Sequence, residues 1–295
     1  MLNLVVIQTS PNHIDDLYKN KRINRDIVHA SDDHGGYFLL KCESQSALAV
    51  ALDDELHLVS VPNDLAYQGA RPYDAPQTCL FHSLRTFDLT VCLGLAGSGK
   101  TYLAMCYALH RLFKDNMKIV LLKPTIFIGQ KSQAIGAVPG TKREKLEPYI
   151  SSYMGHLHKI LGKSADHFLY QWEEERKFEI EAIELCRGRH FENAIVIVDE
   201  CQNLNLHEIL SLVSRVADDS QLILLGDPRQ IDTGQRWHET GVAQLTKSDA
   251  FYNSPYAQGI MLEKTYRGVL AELVDDIMDE VLGTLGEEED RLKVL

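Results

Sequence analysis

The pattern of apolar and polar positions along the chain changes near residue 70. Before that point, short apolar or alternating runs such as LNLVVIQ, YFLLKC, ALAVAL and LHLVSV are separated by the clusters DDHGG, DD and PND. Short runs between turn-forming clusters are typical of strands joined by turns. We therefore expect residues 1–70 to form a small β-rich unit, and no group of catalytic residues stands out within it.

From about residue 77 the pattern becomes an alternation of predicted strands and helices. The runs FDLTVCL, MKIVLLK, NAIVIVD and SQLILLG predict buried strands, whereas TYLAMCYALHRLF, REKLEPYISSYMGHLHKIL and HEILSLVSRV predict helices. Apolar strands separated by helices indicate a parallel sheet that is covered on both faces. Residues 71–295 are therefore predicted to form a three-layer α/β domain.

A glycine-rich loop follows the first of these strands. The residues GLAGSGKT, from Gly94 to Thr101, fit the pattern GxxxxGK[ST] between a strand and a helix, which is the context that a P-loop requires. The N–H groups of such a loop surround a β-phosphate, and the helix N-terminus adds partial positive charge. The lysine neutralises β- and γ-phosphate oxygens, and the threonine hydroxyl ligates Mg²⁺. The predicted nucleotide-binding residues are Gly94, Ala96, Gly97, Ser98, Gly99, Lys100 and Thr101.

A pair of carboxylates, Asp199 and Glu200, ends the predicted strand AIVIV. We assign Asp199, together with Thr101, to the Mg²⁺ shell, and Glu200 as the general base that polarises the attacking water. Two acids after a strand are also common in surface turns, but their combination with a P-loop favours catalysis. The second carboxylate separates the chain from small GTPases and many kinases, and it favours hydrolysis.

A third polar loop, GDPRQ from Gly226 to Gln230, follows the next apolar strand. Because the carboxyl ends of parallel strands line up along one edge of a sheet, this loop is expected beside the phosphates. Gln230 is neutral and both donates and accepts hydrogen bonds, so it would sense the γ-phosphate or orient water. The alternative is a polar turn that proline makes rigid.

Composition narrows the class of protein without changing this picture. The 295-residue chain is 45% hydrophobic and 24% charged, as expected of a folded globular protein. Its net charge of −12 argues against a dedicated DNA-binding protein, although acids and bases nearly balance between residues 71 and 262. The six cysteines form no CxxC pair, which argues against a structural metal. We read no signal peptide and no membrane-length apolar run, so we expect a cytoplasmic protein with no membrane partner.

Several motifs, in matching order, resemble a known family. DECQN followed by GDPRQID is similar to two ATPase motifs of superfamily 1 helicases. Together with KPTIFIGQKSQAIGAVPGTKREKLEPY and LEKTYRGVLAELVDDI, they resemble the PhoH family of ATPases over residues 65–285. The resemblance implies a RecA-like P-loop NTPase core that uses ATP and Mg²⁺. Residues 1–60 carry no such resemblance.

The resemblance also implies roles for three further residues. Gln77 stands where helicase-like ATPases place a glutamine that reads the edge of adenine; an ordinary exposed glutamine is the alternative. Arg267 matches the family's C-terminal arginine, which implies a finger on the γ-phosphate; a surface arginine at a helix start is the alternative. Lys123 replaces an arginine that often precedes the following proline in the family, so the charge is kept and the bidentate fork is lost.

Contact with RNA or single-stranded DNA is expected mainly from the same resemblance. Lys123-Pro124-Thr125 stands where related helicases touch a single-stranded backbone, and basic clusters elsewhere would follow phosphates. Those clusters are Lys142, Arg143 and Lys145, then Arg187 and Arg189. The alternative is that these basic residues are simply solvated.

The segment after Arg267 leads to an expectation about assembly. It is too short for a second RecA-like lobe, which needs roughly 150 residues. A neighbouring subunit would then close the nucleotide site, offering Arg267 or another basic group in trans. Relatives are thought to form rings, so we expect a homo-oligomeric ring and favour a hexamer.

Three functions stay open at this point. The first is an ATPase that couples hydrolysis to binding or remodelling of RNA or single-stranded DNA. The second is a nucleotide-gated assembly module with a protein partner and slow turnover. The third, a small-molecule kinase, is disfavoured by Glu200 and by the GDPRQ loop. Stimulation of hydrolysis by nucleic acid separates the first two functions, and a phosphotransfer assay tests the third.

Overall fold

A computed structural model describes the fold over most of the chain. The described residues are 2–28, 36–43, 45–52, 54–61, 70–124, 153–186, 188–266, 273 and 277. Their strands form two sheets, one of five strands and one of six.

Five short strands near the N-terminus form the smaller sheet, in the order β1-β3-β4-β5-β2. They are β1 (Val5–Gln8), β2 (Arg22–Asn24), β3 (Tyr37–Lys41), β4 (Ser46–Leu52) and β5 (Glu55–Leu58). β1 pairs with β3 in parallel, and the other pairs are antiparallel. Helix α1 (Pro11–Asn20) buries Ile14 and Leu17 in the same apolar cluster as Phe38 and Leu56. The strands expected from the sequence are β1, β3, β4 and β5, whereas α1 and β2 were not expected.

Six parallel strands form the larger sheet, in the order β11-β6-β10-β9-β7-β8. They are β6 (Leu89–Gly94), β7 (Lys118–Lys123), β8 (Phe178–Ala182), β9 (Ala194–Val198), β10 (Gln221–Gly226) and β11 (Ala257–Leu262). The predicted parallel α/β architecture is confirmed. Of these strands, β8 and β11 were not expected.

Several α-helices accompany the larger sheet in the described part of the chain. They are α2 (Ala75–Thr86), α3 (Lys100–Asp115), α4 (residues 153–161), α5 (Ala165–Glu174), α6 (Leu206–Val213), α7 (Gly241–Lys247) and α8 (Asp249–Tyr252). Within the described residues, none of the helices combines the length and the apolar character needed to cross a bilayer.

Alternate side chains of the central strands point to opposite faces of the larger sheet. On β9, Ile195 and Ile197 join the apolar cluster of α2 and α3, while Val196 and Val198 join the cluster of α6 and α7. Every residue of β9 is buried, because helices cover both faces of the sheet. This is the three-layer arrangement that the wholly apolar strands predicted.

The order of the strands decides which loops meet. β10 lies between β6 and β9, with Gly226 in register with Leu93 and Leu224 in register with Val198. The loops that follow β6, β9 and β10 therefore leave the same edge of the sheet side by side. These are the three loops in which the sequence placed its candidate chemistry.

The smaller sheet packs against the larger domain. Tyr37 and Val50 belong to the apolar cluster of α2 and α3, and the Tyr37 hydroxyl lies 3.0 Å from Nδ1 of His82. The N–H of Met261 donates to the Leu2 carbonyl oxygen at 3.0 Å. The boundary at residue 70 between two units stays a prediction.

Some predicted features lie outside the described residues. The helix predicted from REKLEPYISSYMGHLHKIL is described only from residue 153 onwards, as α4. Thr125, Lys142, Arg143, Lys145, Arg187 and Arg267 are also outside the described part of the chain.

Candidate functional site

The loop between β6 and α3 adopts backbone conformations that favour glycine. Gly94, Gly97 and Gly99 have φ angles of +155°, +84° and +93°. A Cβ atom on Gly94 would lie 2.3 Å from the Leu262 carbonyl oxygen, so β11 leaves no room for a side chain there. Lys100 Nζ donates to the carbonyl oxygens of Gly94 and Leu95, at 2.7 and 2.9 Å. The ammonium group is therefore held within the loop that would surround the phosphates.

Helix α3 and strand β9 bring together the two residues assigned to magnesium. Thr101 Oγ1 donates to Asp199 Oδ2 at 3.4 Å. The backbone N–H of Glu200 donates to the other carboxylate oxygen of Asp199 at 3.1 Å, and the Asp199 N–H donates to the Leu122 carbonyl oxygen at 3.0 Å. Hydroxyl and carboxylate oxygens are the ligands that Mg²⁺ prefers. The pair therefore offers a suitable donor set for that ion.

The electrostatics of Asp199 also fit a bound cation. Burial, and after it the charge of Glu200, raise the pKa of Asp199 to about 6. The ammonium groups of Lys123 and Lys100 act in the opposite direction. A divalent cation beside the carboxylate would likewise favour its charged form. The site therefore places a carboxylate where positive charge stabilises it.

The position of Glu200 is set by a left-handed backbone conformation and by a hydrogen bond from Gln202. The Glu200 φ angle of +59° is left-handed, which is uncommon for a residue other than glycine. Gln202 Nε2 donates to Glu200 Oε2 at 2.7 Å and to the Gln230 carbonyl oxygen at 2.8 Å. Gln202 Oε1 accepts from the Asp227 N–H at 3.1 Å. One buried side chain thus connects the predicted general base with the loop after β10.

The loop after β10 packs tightly against Cys201 and Gln202. A Cβ atom on Gly226 would lie 2.9 Å from both Cys201 Sγ and Gln202 Oε1. Asp227 is buried, and its Oδ1 accepts from the Arg229 N–H at 3.0 Å. Burial raises the pKa of Asp227, while the bond from the Arg229 N–H acts against the rise. Gly226 therefore lets the loop approach Gln202 closely.

Residues of the loops after β6, β9 and β10 line a cavity of 310 Å³ at the carboxyl edge of the larger sheet, which we name the carboxylate cavity. It is lined by, among others, Lys100, Thr101, Tyr153, Asp199, Glu200 and Gln230. The structure thus brings together the P-loop lysine, both residues assigned to magnesium, the predicted general base and the predicted γ-phosphate sensor.

A second cavity of 380 Å³ adjoins the first, and Gly97, Lys100 and Thr101 line both. We name it the aromatic cavity, because its lining includes Tyr73, Tyr102 and Tyr266. The rings of Tyr73 and Tyr266 lie 5.2 Å apart between centroids. Flat aromatic faces beside the P-loop offer a stacking surface for a nucleotide base.

Gln77 lines the aromatic cavity, but its amide is bonded to the protein backbone. Its Oε1 accepts from the Tyr73 N–H at 2.8 Å, and its Nε2 donates to the Ser98 carbonyl oxygen at 3.0 Å. The residue is only 2% exposed, so the alternative of an exposed glutamine is wrong. Reading of adenine by Gln77 stays a prediction, and it would use the second N–H of Nε2 and the second lone pair of Oε1 or displace these bonds.

Two of the basic residues expected to contact nucleic acid are described. Lys123 ends β7, and its Nζ lies 3.9 Å from Glu200 Oε1. Arg189 donates to carboxylate oxygens of Glu181 and Glu179, both at 2.7 Å. Lys123 therefore belongs to the site, whereas Arg189 is held in ion pairs at the edge strand β8.

The sequence pattern assigned no role to Gln202, Asp227 or Tyr153. Gln202 and Asp227 stand inside the DECQN and GDPRQ motifs. Their closeness in sequence to Glu200 and Gln230 is the signal that could have identified them. Tyr153 stands in a predicted helix where nothing distinguished it from a core tyrosine.

The fold and the site define the class of protein. A parallel sheet in which β10 separates the P-loop strand from the Asp199 strand, with Lys100, Thr101 and Asp199 in one cavity, is that of a RecA-like P-loop NTPase. The family described as PhoH-like protein matches residues 70–279, and the chain belongs to this family.

Two relatives and one solved structure illustrate the similarity. The chain is 31% identical over 273 residues to "Protein PhoH2" of Bacillus subtilis (strain 168), which covers 88% of this chain and 60% of the relative. It is 36% identical over 151 residues to a "PhoH-like protein" of the same organism, covering 51% and 46%. The chain thus spans between 46% and 60% of the length of these relatives. Unliganded Pif1 from Bacteroides sp. is 12% identical with a TM-score of 0.31, covering 71% of this chain and 46% of that one.

Proposed function

We propose that the chain hydrolyses ATP with Mg²⁺, and that it couples hydrolysis to binding or remodelling of RNA or single-stranded DNA as a ring-shaped homo-oligomer. The observation that supports hydrolysis most directly is the meeting of Lys100, the Thr101–Asp199 pair and Glu200 in the carboxylate cavity. A second carboxylate beside the magnesium pair supplies a base, which a site that only binds nucleotide does not need.

Binding of the phosphates is assigned to the P-loop. The backbone N–H groups and Lys100 Nζ would bind β- and γ-phosphate oxygens, with Nζ leaving the carbonyl oxygens of Gly94 and Leu95. Thr101 and Asp199 would hold Mg²⁺, which supplies positive charge to the phosphate oxygens. The aromatic cavity would take the base.

Hydrolysis is assigned to Glu200 and Gln230. Glu200 accepts a proton from the attacking water while the water oxygen bonds to the γ-phosphorus. The bond from the γ-phosphorus to the bridging oxygen breaks, and ADP and phosphate leave. Gln230, whose carbonyl oxygen is bonded to Gln202, senses the γ-phosphate or orients the water.

Arg267 is proposed as the cationic group that stabilises the transferred phosphate. It follows Tyr266, whose N–H donates to the Gly97 carbonyl oxygen at 3.1 Å. An arginine directly after a residue bound to the P-loop is a suitable source of charge for the transition state. Replacement of Arg267 by alanine should therefore lower kcat more than nucleotide affinity.

Lys123 supports the proposal that nucleic acid controls hydrolysis. Its ammonium group lies 3.9 Å from Glu200 Oε1, at the carboxyl end of β7. A phosphate of a single-stranded backbone would attract the same ammonium group. Binding of nucleic acid at Lys123 would thus change the charge next to the general base.

The proposal is tested by steady-state release of phosphate, with and without single-stranded RNA and DNA. We expect Mg²⁺-dependent turnover that one of the polymers stimulates and that Lys100→Ala abolishes. Basal turnover that no polymer changes would instead favour a nucleotide-gated assembly module with a protein partner. Transfer of phosphate to a small acceptor molecule would contradict the assignment of water as the nucleophile.

A further inference from the structure

Tyr153 carries a buried hydroxyl group to which the reaction described above gives no role. The residue is 1% exposed, and among the described residues its hydroxyl oxygen has no hydrogen-bond partner. A buried hydroxyl without a partner destabilises a fold, and phenylalanine would fill the same space without that cost. A tyrosine at this position therefore points to a polar partner that is not among the described residues, such as a ligand in the cavity that Tyr153 lines.

Helix α4 places Tyr153 at one end of the nucleotide groove. Tyr153, His156 and Lys159 are three residues apart in turn, so they share one face of the helix. Of these three, only Tyr153 is confined to the carboxylate cavity, His156 lines both cavities, and Lys159 lines the aromatic cavity. The helix thus runs along the groove, with Tyr153 beside the catalytic carboxylates and Lys159 beside the rings. Tyr153 therefore stands at the end assigned to the γ-phosphate.

The environment keeps the Tyr153 hydroxyl protonated. Burial, and after it the charges of Asp199 and Glu200, raise the pKa of Tyr153 well above its usual value. The group is therefore a hydrogen-bond donor at every pH at which the protein works. A γ-phosphate oxygen is a negatively charged acceptor, and only a nucleoside triphosphate brings one into this cavity.

We propose that the Tyr153 hydroxyl donates a hydrogen bond to the γ-phosphate, so that α4 distinguishes a bound nucleoside triphosphate from a diphosphate. This inference depends on the proposed nucleotide-binding function and deepens it. When phosphate leaves, the hydroxyl loses its partner, so the contacts of α4 differ between the two nucleotide states. The helix thus links the nucleotide that is bound in the cavity to the exposed residues of α4 on the protein surface.

The inference is tested by nucleotide binding to Tyr153→Phe, which removes the hydroxyl and keeps the ring. Calorimetric titration would compare Mg²⁺–ADP with the Mg²⁺ complex of an ATP analogue that carries a β,γ-imido bridge. We expect the analogue to bind about tenfold more weakly than to the wild-type chain, since one charge-assisted bond is lost, and ADP affinity to change less than about twofold. The unfolding temperature without nucleotide should not fall, because the lost hydroxyl had no partner among the described residues.

Tyr107→Phe is the matched control. Tyr107 is also fully buried, but its hydroxyl donates to Gln221 Oε1 at 2.7 Å and accepts from Arg111 Nη1 at 2.7 Å. Gln221 begins β10, at the opposite end of that strand from Gly226 and the site. We therefore expect this variant to unfold at a lower temperature, with the wild-type ratio of analogue to ADP affinity.

Two results would overturn the inference alone. One is a wild-type ratio of the two affinities in Tyr153→Phe, measured beside a wild-type chain that hydrolyses ATP. The other is equal weakening of both nucleotides with a lower unfolding temperature, because this result identifies a structural role. A folded wild-type chain that binds neither nucleotide would overturn the proposed function, and this inference with it.

Discussion

At the scale of single residues, the site depends on side chains that hold the reacting ones in place. Gln202 is fully buried and bonds to Glu200, to the Gln230 carbonyl oxygen and to the Asp227 N–H. The Asp227 N–H is buried and has no water to replace a lost bond, so this bond is costly to break. The orientation of the proposed general base therefore depends on an amide that does not itself react.

Gln202→Leu tests this dependence. Leucine has a similar size but leaves the buried Asp227 N–H unpaired, at a cost of about 1–3 kcal/mol, and it removes the donor to the partly exposed Glu200 carboxylate and to the Gln230 carbonyl oxygen. We expect the free energy of unfolding to fall by about 1–3 kcal/mol and kcat to fall about tenfold, with little change in ATP affinity. Chemical denaturation, phosphate release and ATP titration measure the three quantities. Gln244→Leu, at an exposed glutamine of α7, is the control, and equal effects in both variants would contradict the account.

Gly94→Ala tests the close approach of β11 to the P-loop. The added Cβ atom would meet the Leu262 carbonyl oxygen, and the φ of +155° disfavours a side chain in any case. We expect a loss of more than about 2 kcal/mol in the free energy of unfolding. Gly155→Ala in α4 meets nothing within 4 Å and should instead add roughly 0.5–1 kcal/mol. Urea titrations of both variants check this, and an unchanged midpoint for Gly94→Ala would rule out the described packing.

At the scale of elements, the sequence predicted the strands that are buried on both faces and missed those shaped by distant partners. β6, β7, β9 and β10 are runs of apolar residues, because helices cover them from both sides. In the edge strand β8, Glu179 and Glu181 alternate with apolar residues, and Arg189 pairs with both carboxylates. The alternation FEIEA is a local strand signal, but it covers only five residues, and the pairing of its two acids with Arg189 comes from another segment.

Helix α1 was missed for a related reason. Its sequence, PNHIDDLYKN, is mostly polar and buries only Ile14 and Leu17. Its first turn is fixed by Ser10, whose Oγ accepts from the His13 N–H at 3.4 Å, and by proline at the first position. The capping signals are present in the sequence, but two buried apolar residues are too few to give a helical pattern.

Only part of the site could be predicted from the sequence, for the same reason. The P-loop and Asp-Glu motifs carry their residues in a fixed local order, so their meeting at one sheet edge could be predicted. The bonds of Gln77 to Tyr73 and Ser98, and the place of Tyr153 in the carboxylate cavity, depend on how separate elements pack. Sequence spacing contains no direct signal for either.

The contact between the smaller sheet and α2 gives a prediction about pH. Burial, and after it the charge of Arg85, lower the pKa of His82 from 6.5 to about 4. The unfolded chain therefore takes up its proton first as the pH falls below 6.5, so stability that is complete above 6.5 is lost towards pH 4. We expect this group to cost up to about 3 kcal/mol over that range.

His82→Gln provides the comparison for this effect. Glutamine does not titrate, so the difference in unfolding free energy between the two proteins should narrow as the pH falls from 6.5 to 4. Denaturant titrations at several pH values measure the difference. A difference that is constant over this range would show that His82 titrates equally in the folded and unfolded chains.

At the scale of the whole molecule, the acidic chain and the proposed ring lead to a prediction about assembly. The net charge of −12 opposes close contact between subunits unless opposite charges meet at their interface. We expect ring formation to depend on the nucleotide and on salt, with a mass six times that of the 33.3 kDa chain. Sedimentation velocity with Mg²⁺ and the imido analogue would measure this mass. A monomer with full ATPase activity would exclude the ring.

The most direct test is hydrolysis of ATP by the wild-type chain and by Glu200→Gln, with ATP binding measured on the same two proteins. Because glutamine keeps the shape of glutamate but accepts no proton from water, phosphate release should fall by about 10²-fold or more while ATP affinity stays close to that of the wild type. Equal rates in the two proteins, or no hydrolysis by a folded wild-type chain that binds ATP, would contradict the assignment of the carboxylate cavity as a site of hydrolysis.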